Sequence, residues 1–444
     1  MRKTFLLPLL AASVFAQDAL SLRDAARLAL RGNQSVAAAA AGTRAFEARE
    51  GQARAGLLPK VNYAESYARS DNPVFVFSSL LTQHQFGAAN FDLGPLNRPP
   101  SLNNFQSVLS VDQPIYDAGQ TRHAVQAAGL SRQMSAEEQR RAQMQVLAGV
   151  VKSYYGAVLA AESLHTAEQA VRSAEADLRR ADAVHAAGMS TDVDVLSIRV
   201  HLAAVTEQRI QRAADLDVAQ AALNDALGLP LDTPHRLTSP LRPLDLPDMQ
   251  LAALERDASS GRPETRATHL AADLARVQTE SARSALLPEV GVHAAFEADR
   301  QQFVNKGGAN WLASIGLKWN LFNGGADKAR LAESGRWLER ACDDEKRVDS
   351  AVRLEVRRAW ADLRAAQQRI EVARAAVAEA EESLRITQNR YEAGMSNVTD
   401  LLRNETAVLE GRTRYLAAVH DQRLAAAGLE LAAGRLTADS EVLN

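Results

Sequence analysis

The chain of 444 residues has little of what stabilises small secreted domains. It contains a single cysteine, Cys342, which excludes an internal disulfide. Aromatic residues make up only 5% of the sequence while alanine is abundant, which favours closely packed helices over a thick aromatic core. The net charge of −3 gives no reason to expect nucleic acid as a partner. With 46% hydrophobic and 24% charged residues, the composition is nevertheless that of a folded globular chain.

Motifs for catalysis and for metal binding are also missing from the sequence. The nine histidines are scattered without the spacing of a helical His-x-x-x-His site, and no cysteine stands beside them to complete a zinc site. No glycine-rich phosphate loop precedes a lysine, and Asn305-Lys306-Gly307-Gly308 is expected to be a hairpin loop instead. We therefore expect no catalytic residues, no metal site and no cofactor.

The apolar run at the N-terminus is too short for a membrane anchor, but the segment has the pattern of an export signal. Two basic residues precede an apolar run at 5–15, and small residues at alternate positions follow. We predict a signal peptide over 1–16 with cleavage before Gln17. A membrane anchor is the alternative, disfavoured because a span needs about 18 apolar residues or more. No later uninterrupted apolar run reaches that length, so we expect no membrane helix in the mature chain.

Proline is absent from two long stretches of the chain, between Pro114 and Pro230 and after Pro288. Apolar residues recur in both stretches at helical spacing, with Ala, Arg, Glu and Gln between them. We predict two helical hairpins, over 118–227 and over 326–433. Because helices of this length need lateral support, their neighbours must pack on them as in a coiled coil.

The two hairpins are copies of one unit. Three pairs of segments match in order, which is the signature of an internal repeat. AAGMSTDVDVLS at 186–197 recurs as EAGMSNVTDLLR at 392–403, YDAG at 116–119 as FNGG at 322–325, and LLPKV at 57–61 as LLPEV at 286–290. The first two pairs are separated by 206 residues (394 minus 188) and the third by 229 (288 minus 59). The first copy therefore has 229 minus 206, or 23, extra residues, which fall within 70–104.

Glycines mark the bends of the predicted hairpins. Gly188 and Gly394 can adopt the left-handed conformation that ends a helix. The residues able to cap the next helix are Ser190 or Thr191 in the first copy and Ser396 or Asn397 in the second. The predicted junctions between strand and helix are at Pro59, Gly119, Pro288 and Gly325.

The spacing of apolar residues changes from helical to alternating between each proline and the following aromatic-glycine turn. Strands are predicted at about 61–69, 105–115, 290–298 and 311–321, each of about the length of a tilted membrane strand. Any one of them could equally be an edge strand of a soluble sheet, but two hairpins at matching places in a repeat favour membrane strands. Four strands cannot close a barrel, and lipid does not tolerate open sheet edges. We therefore expect an oligomer, in which three copies would supply twelve strands.

The order, duplication and spacing of these motifs resemble the TolC-type outer-membrane efflux protein family over about 19–436. The resemblance implies a mainly α fold with a membrane β-barrel. In such a homotrimer, four strands per chain form a 12-stranded barrel in outer-membrane lipid, and the duplicated helical hairpins form an α-helical periplasmic tunnel. The implied segments are a signal peptide at 1–16, repeat 1 at 17–227, a linker at 228–263, repeat 2 at 264–437 and a C-terminal tail at 438–444.

The resemblance also implies a function. Ducts of this family carry substrates passively from an inner-membrane pump across the periplasm and outer membrane, in efflux or type I secretion, and dock with a periplasmic adaptor protein. The rival interpretation is a soluble periplasmic coiled-coil adaptor or scaffold, which would have one helical hairpin between β-rich halves and not two. The cargo (drugs, metal ions or polypeptides) and the class of pump stay open.

The resemblance places a constriction near the bends. Asp400 matches an acidic ring at the narrowest point of the family's tunnel, and Asp194 is its counterpart in the first hairpin. Such a ring would attract cations; the alternative is that Asp192 and Asp194 merely favour the start of a helix. Where the family has a second aspartate this chain has Arg403, so we predict that Arg403 pairs with Asp400 and weakens cation selectivity.

Closure and docking are assigned by the same resemblance. Tyr391 matches a tyrosine that hydrogen-bonds an aspartate of the first hairpin, here Asp194, and keeps the tunnel shut. The family's companion arginine-threonine link is not matched, since Ser396 and Val193 stand there, so the closed state is expected to rest on fewer bonds. The residues expected to meet the adaptor are Gly188, Met189, Ser190, Gly394, Met395 and Ser396.

The lengthened segment 70–104 and the linker 228–263 connect the repeated parts. The former is rich in proline and phenylalanine, which indicates an ordered loop. In the family's topology it would face outside the cell, and we expect it to pack over or around the barrel mouth. The linker has little periodicity before LAALERDA at 251–258 and is expected to join a belt around the tunnel.

Overall fold

The computed structural model describes residues 19–245, 249–304 and 307–443. The predicted signal peptide at 1–16 lies outside them, as do Asn305 and Lys306 of the predicted hairpin loop. The chain forms two compact units. The hairpin unit comprises the residues up to Gly42, Ala136–Ala267 and the residues from Lys346 onward, and the sheet unit comprises Thr43–Ser135 and Thr268–Glu345.

Helices dominate the described residues, and they repeat. They are α1 Leu22–Gly32, α2 Gln34–Ala55, α3 Pro73–Thr82, α4 Leu93–Asn97, α5 Gln120–Ala186, α6 Asp192–Leu227, α7 Leu251–Gly261, α8 Pro263–Ser284, α9 Ala326–Glu392 and α10 Val398–Ala432. The pair α7 and α8 begins 229 residues after α1 and α2 (251 minus 22, 263 minus 34), and α9 begins 206 after α5 (326 minus 120). The helices therefore keep the two offsets seen in the sequence.

Helices α1, α2, α7 and α8 were not foreseen from the sequence, and neither were α3 and α4 within the expected loop at 70–104. Alanine covers much of α2, and Val36 is the one buried residue recorded for it, so no apolar stripe distinguishes this helix. Helix α7 lies at the end of the linker at 228–263 and begins with the periodic LAALERDA segment. It buries Leu254 and Ala258 in the core of the hairpin unit.

The core of the hairpin unit is organised around two tyrosines of α5. Tyr154 and Tyr155 are fully buried. The Tyr154 hydroxyl donates to the Leu20 carbonyl (2.8 Å) and accepts from the backbone N–H groups of Thr238 and Ser239 (3.1 and 2.9 Å). These bonds fasten the parallel pair of short strands β1 (Ala19–Leu20) and β4 (Arg236–Leu237) to the core. Since buried backbone groups must be satisfied, this one hydroxyl anchors the linker.

One described helix, Gln120–Ala186, contains an 18-residue stretch apolar enough to cross a membrane by composition. The sequence excludes only uninterrupted apolar runs of this length, whereas this stretch is apolar on average. Half of it is buried inside the chain. The same helix contributes Val150, Val151 and the two tyrosines to the core, so it serves as a core helix of the hairpin unit.

The sheet unit contains four antiparallel strands in the order β2-β3-β5-β6. Their bounds are β2 Lys60–Ser70, β3 Leu102–Tyr116, β5 Glu289–Arg300 and β6 Gly307–Lys318. The fourth strand begins at 307 and not at about 311, so Gly307 and Gly308 lie in it and not in a hairpin loop. A Cβ on Gly308 would lie 2.4 Å from the Thr82 carbonyl oxygen, which explains why glycine stands in this strand.

The register gives the sheet one apolar and one polar face. Tyr63, Leu109, Phe296 and Trp311 form a row across the four strands, and all four side chains are exposed in the single chain. The opposite face carries the polar pairs, including Asp112 with His293, whose side chains are 2.7 Å apart. Apolar-out and polar-in alternation of this kind is typical of strands in an outer-membrane barrel.

The segment 70–104 is ordered. Asn72 caps α3 by accepting from the N–H groups of Val74 and Phe75. The rings of Phe77, Phe86 and Phe91 then stack edge to face, with centroids 4.7 and 5.1 Å apart.

The end of α3 packs on the polar face of the sheet. Gln83, 1% exposed, donates through Nε2 to the Asn103 carbonyl and to Asn104 Oδ1, both at 2.9 Å. Asn104 in turn donates to Asp299 on the neighbouring strand (2.6 Å). The Asn310 amide donates to the Thr82 carbonyl, so that three strands are linked to this loop.

Candidate functional site

The two helical bends lie in the hairpin unit and have the same backbone conformation. Gly188 and Gly394 have φ of +73° and +71°, the left-handed conformation that glycine adopts without strain. The N–H of the next residue bonds five residues back: Met189 to the Val184 carbonyl (3.1 Å) and Met395 to the Arg390 carbonyl (2.8 Å). This closure satisfies carbonyls at the helix end, as in a Schellman motif.

Each return helix has its own cap. Thr191 is the cap of α6 and accepts from the Asp194 N–H, while the Asp194 carboxylate accepts from Thr191, forming a reciprocal capping box. Asn397 is the cap of α10 and accepts from the Asp400 N–H at 2.9 Å. Of the alternatives that the sequence left open, the second residue of each pair is the one used.

The two acidic residues of the predicted constriction have different partners. Asp194 Oδ2 accepts from both the N–H (3.1 Å) and the hydroxyl (2.8 Å) of Thr191. Asp400 Oδ2 accepts from the Ser396 hydroxyl alone, at 3.4 Å. The predicted pairing of Asp400 with Arg403 is not formed: within the described residues no ion pair joins them, and Arg403 is exposed. Arg403 lies one turn farther along α10, where solvent satisfies its charge.

Tyr391 lies against a small core that joins the two bends. This tip core consists of Ala181, Val195, Ile198 and Val398, with Leu178, Tyr391 and Leu402 packed on it. Burial raises the pKa of Tyr391, and the negative charges of Asp194 and Asp177 raise it further. No hydrogen bond between Tyr391 and Asp194 is present among the described residues, and the Asp194 carboxylate bonds Thr191 instead. The gating role of Tyr391 stays a prediction.

The outermost residues of both bends are open to solvent. Met189 is 74% exposed and Met395 65%, and both bend glycines are exposed. Ser190 and Ser396 are half-buried beneath them. Helix α6 adds an exposed apolar stripe to this surface at Val193, Leu196 and Val200. The positions in α10 that correspond to Val193 and Val200, 206 residues later, are threonines.

The strand-to-helix junctions use left-handed glycines. Gly119 and Gly325 both have φ of +88° and directly precede the long helices. In the first copy the Asp117 carboxylate accepts from the N–H groups of Gly119 and Thr121. Burial acts to raise the pKa of Asp117, but these hydrogen bonds outweigh it and lower the pKa. The other two junction residues, Pro59 and Pro288, directly precede β2 and β5.

A buried polar cluster above the bends was not foreseen from the sequence. Its members are Asp177 and Ser173 on α5, His201 on α6 and Glu405 on α10. None of them belongs to the repeated motif, since the positions 206 residues away hold other residue types. The one sign of this cluster in the sequence is a polar residue at a core-facing position of each of these helices.

No arrangement of three or more His, Cys, Asp or Glu side chains suited to a metal ion occurs within the described ranges. The site is therefore defined by its bends, its acidic residues and its exposed tip, all of which fit a helical hairpin that meets other helices.

Comparison with known proteins identifies the family. A model of the family described as "Outer membrane efflux protein" matches residues 25–229 and 254–435, which include both copies of the repeat. The chain belongs to this family, so the predicted family is confirmed, as is the mainly α fold with duplicated helical hairpins and four longer strands per chain. It is an outer-membrane export protein, in a family of efflux proteins and not of enzymes.

Curated relatives share much of this chain. Protein CyaE of Bordetella pertussis is 31% identical over 332 residues, covering 72% of this chain and 69% of CyaE. The alkaline protease secretion protein AprF of Pseudomonas aeruginosa is 26% identical over 437 residues, covering 96% of this chain and 87% of AprF. These relatives support the export function and not the rival soluble adaptor.

Solved channel structures share the fold. The CmeC outer membrane channel of Campylobacter jejuni has a TM-score of 0.80 at 16% identity, covering 95% of this chain and 87% of CmeC. CusC has a TM-score of 0.79 at 17% identity, covering 94% and 93%.

Proposed function

We propose that this chain forms a homotrimeric, passive outer-membrane duct that connects an inner-membrane pump and a periplasmic adaptor protein to the outside. The observation that carries the proposal is the four-stranded sheet with an exposed apolar face and two unpaired edges, attached to duplicated helical hairpins. Two relatives, AprF and the proteases secretion protein PrtF of Dickeya chrysanthemi, are named for protease secretion, which favours type I secretion of a polypeptide over small-molecule efflux.

The trimer follows from the sheet edges. Strands β2 and β6 each pair on one side only within the described residues. A sheet edge in lipid leaves its backbone N–H and C=O groups without partners, at a cost of several kcal/mol per group. Pairing β2 of one copy with β6 of the next removes both edges, and three copies give a closed barrel of twelve strands, a size in the usual range.

The proposed gate lies at the bends. Three copies of Asp400 would form an acidic ring that narrows the tunnel and attracts cations. Arg403, which leaves Asp400 unpaired within one chain, would place three positive charges one turn away and moderate that attraction. Tyr391, packed on the tip core, would hold the second bend to the first in the closed tunnel.

The exposed bend residues are the proposed docking surface. Met189 and Met395 present flexible thioethers beside glycines, a combination that adapts to an apolar partner surface. Hairpin tips of this kind fit the helical hairpins of a periplasmic adaptor.

The lengthened loop is proposed to narrow the outer mouth. The polar face on which α3 packs is the face that would line the barrel lumen. Gln83 and Asn104 tie the end of α3 to that face, so the loop would project over the opening and not into lipid.

The proposed function is tested by an unheated against a boiled semi-native gel of detergent-extracted outer membranes, followed by bilayer recording of the excised band. We expect a heat-labile trimer with a small, gated conductance. A monomeric periplasmic species without channel activity would contradict the duct and favour the adaptor or scaffold.

A further inference from the structure

We propose that the buried carboxyl pair Asp177 and Glu405, with His201 beside it, is a proton-dependent latch between the two helical hairpins of one chain. The latch is closed while the two carboxyls share a proton and is loosened when that proton is lost. Its effect on transport rests on the proposed duct, but the latch itself is a property of the hairpin unit.

The geometry of the pair joins three helices. Asp177 on α5 and Glu405 on α10 lie within hydrogen-bonding reach of each other, and both residues are more than nine-tenths buried. The Ser173 hydroxyl, one turn before Asp177, donates to Glu405 Oε1 at 2.9 Å. His201 Nε2, on α6, lies 3.3 Å from Glu405 Oε2. Every contact of Glu405 with this group thus crosses from the second hairpin to the first.

Two oxygens in the cluster are poorly supplied with hydrogen-bond donors. Asp177 Oδ2 is buried and accepts no hydrogen bond from the described residues, and the buried Glu405 Oε2 has only His201 Nε2 nearby, at 3.3 Å. A buried acceptor without a donor is costly, and two adjacent buried carboxylates repel each other. One proton held between the carboxyls removes the repulsion and supplies a donor.

The surrounding charges do not neutralise the pair. On α5, Arg180 bonds Asp177 Oδ1 at 3.0 Å, but it also reaches Glu392 of α9 at 3.5 Å. The neighbouring residue of α9, Tyr391, brings no positive charge. On α10, Arg412 lines the same cavity of about 270 Å³ as Glu405, but Glu381 of α9 engages it at 2.6 Å. His201 is the remaining basic side chain, and it lies on the Glu405 side.

The titration of the pair has a definite direction. Burial and the neighbouring Glu405 raise the pKa of Asp177 to about 7, although Arg180 acts in the opposite direction. Burial acts to raise the pKa of Glu405 as well, but its hydrogen-bonding neighbours outweigh burial and lower it. One proton is therefore retained by the pair up to about neutral pH, on the Asp177 side.

The sign of the pH dependence follows from linkage. Once the hairpins separate, Asp177 is hydrated and regains an ordinary pKa of about 3.9. Between about pH 4 and pH 7 the joined hairpins bind a proton that the separated hairpins do not, so acid favours the joined state. The stabilisation is lost as pH rises through 7. For one proton, the ratio of joined to separated hairpins should fall about tenfold from pH 6 to pH 8.

The latch is placed where it can control the bends. Asp177 precedes Gly188 by 11 residues (188 minus 177), and Glu405 follows Gly394 by 11 (405 minus 394). At about 1.5 Å per residue, both carboxyls lie about 16 Å along their helices from the bends. A separation at this level would release the tip core and allow the second bend to move away from the first.

The latch can be tested by a distance measurement on the full-length protein in detergent. Spin labels are placed on the exposed positions Glu175 of α5 and Thr406 of α10, as Glu175→Cys and Thr406→Cys in a Cys342→Ser background. We expect the population at long distance to increase about tenfold relative to the short one between pH 6 and pH 8. An unchanged distribution between these two pH values would overturn the proposal.

Two substitutions remove the titration without removing the hydrogen bond. Asp177→Asn should donate permanently to Glu405 and keep the short distance at both pH values. Glu405→Gln should do the same from the other side, so the test stands if one variant does not fold. The matched control is Asp182→Asn, an exposed carboxylate on the same helix, which should keep the wild-type response. A wild-type response in both Asp177→Asn and Glu405→Gln would contradict the latch.

Bilayer recording of the same variants separates the latch from the duct. We expect the open fraction of the wild-type channel to rise from pH 6 to pH 8, and that of Asp177→Asn to stay low. A pH-dependent label distance in a protein that forms no channel would support the latch and refute the duct. A protein that forms a channel but has a label distance independent of pH would support the duct and refute the latch.

Discussion

The two bends have the same backbone conformation but are held in place by different contacts. In the first bend, His185 lies 3.2 Å from both the Ser190 carbonyl and the Asp192 carboxylate, so this bend is held by its own residues. In the second bend the equivalent residue is Tyr391, which packs on residues of the first hairpin instead. Both copies therefore keep the turn. The residue at position 185 or 391 decides whether a bend is held by its own residues or by contacts with the other hairpin.

The acidic residues show the same division. Thr191 occupies the Asp194 carboxylate with two hydrogen bonds, whereas Ser396 contacts Asp400 once and at 3.4 Å. A carboxylate engaged in a cap is less available to ions. The comparison therefore favours Asp400 for the pore ring and Asp194 for starting its helix.

The largest expected effect concerns the segment that only the first copy has. Strands β2 and β3 pair up to Ser70 with Leu102, so replacing residues 72–100 by a short Asn-Gly turn should leave the hairpin intact. We expect single-channel conductance to rise about twofold or more, because the loop no longer covers the mouth. A heat-labile trimer on a semi-native gel is the folding control. Unchanged conductance and gating noise would rule out a role for the loop at the mouth.

The second prediction compares the two aspartates. Asp400→Ala should lower the ratio of cation to anion permeability, while Asp194→Ala should leave it nearly unchanged and loosen the start of α6 by about 1 kcal/mol. Arg403→Ala should raise cation preference. Reversal potentials in a salt gradient measure all three. Equal losses of selectivity in the two aspartate variants would show that the capping bond of Asp194 does not keep it from acting on ions in the pore.

The third prediction addresses the bridge between the bends. Tyr391→Phe removes the hydroxyl but keeps the ring on the tip core, and we expect a modest rise in conductance. His185→Phe is the matched change in the first bend and should not open the channel. A closed-state current that is unaltered by Tyr391→Phe would remove this residue from the gate.

The smallest expected effect comes from the two caps. Thr191→Ala and Asn397→Ala should each destabilise the first turn of a return helix by about 1 kcal/mol. Amide hydrogen exchange near each bend should accelerate about fivefold for that loss. Thr191→Ala should additionally free the Asp194 carboxylate, so the two variants should differ in cation selectivity. Identical selectivity would mean that Asp194 does not face the pore.

The family and fold class were predictable because they depend on local and periodic signals. Proline-free stretches, left-handed glycines and alternating strands can each be found within a short window of sequence. The latch was not predictable: Asp177 and Glu405 are 228 positions apart (405 minus 177), and only packing of α5 against α10 brings them together. The contact of Gln83 with Asn104 was hidden for the same reason, since neither residue belongs to a motif.

The constant offset of 206 residues restricts how the gene can change. One inserted residue in a long helix would rotate everything beyond it by about 100° and shift it by about 1.5 Å. The Val195 and Ile198 side chains would then leave the tip core that they share with Val398. Insertions and deletions in the hairpins are therefore tolerable only in compensating sets, whereas the segment between β2 and β3 can vary freely in length. We therefore expect new surface properties to evolve first in this segment, because changes there leave the packing of the long helices intact.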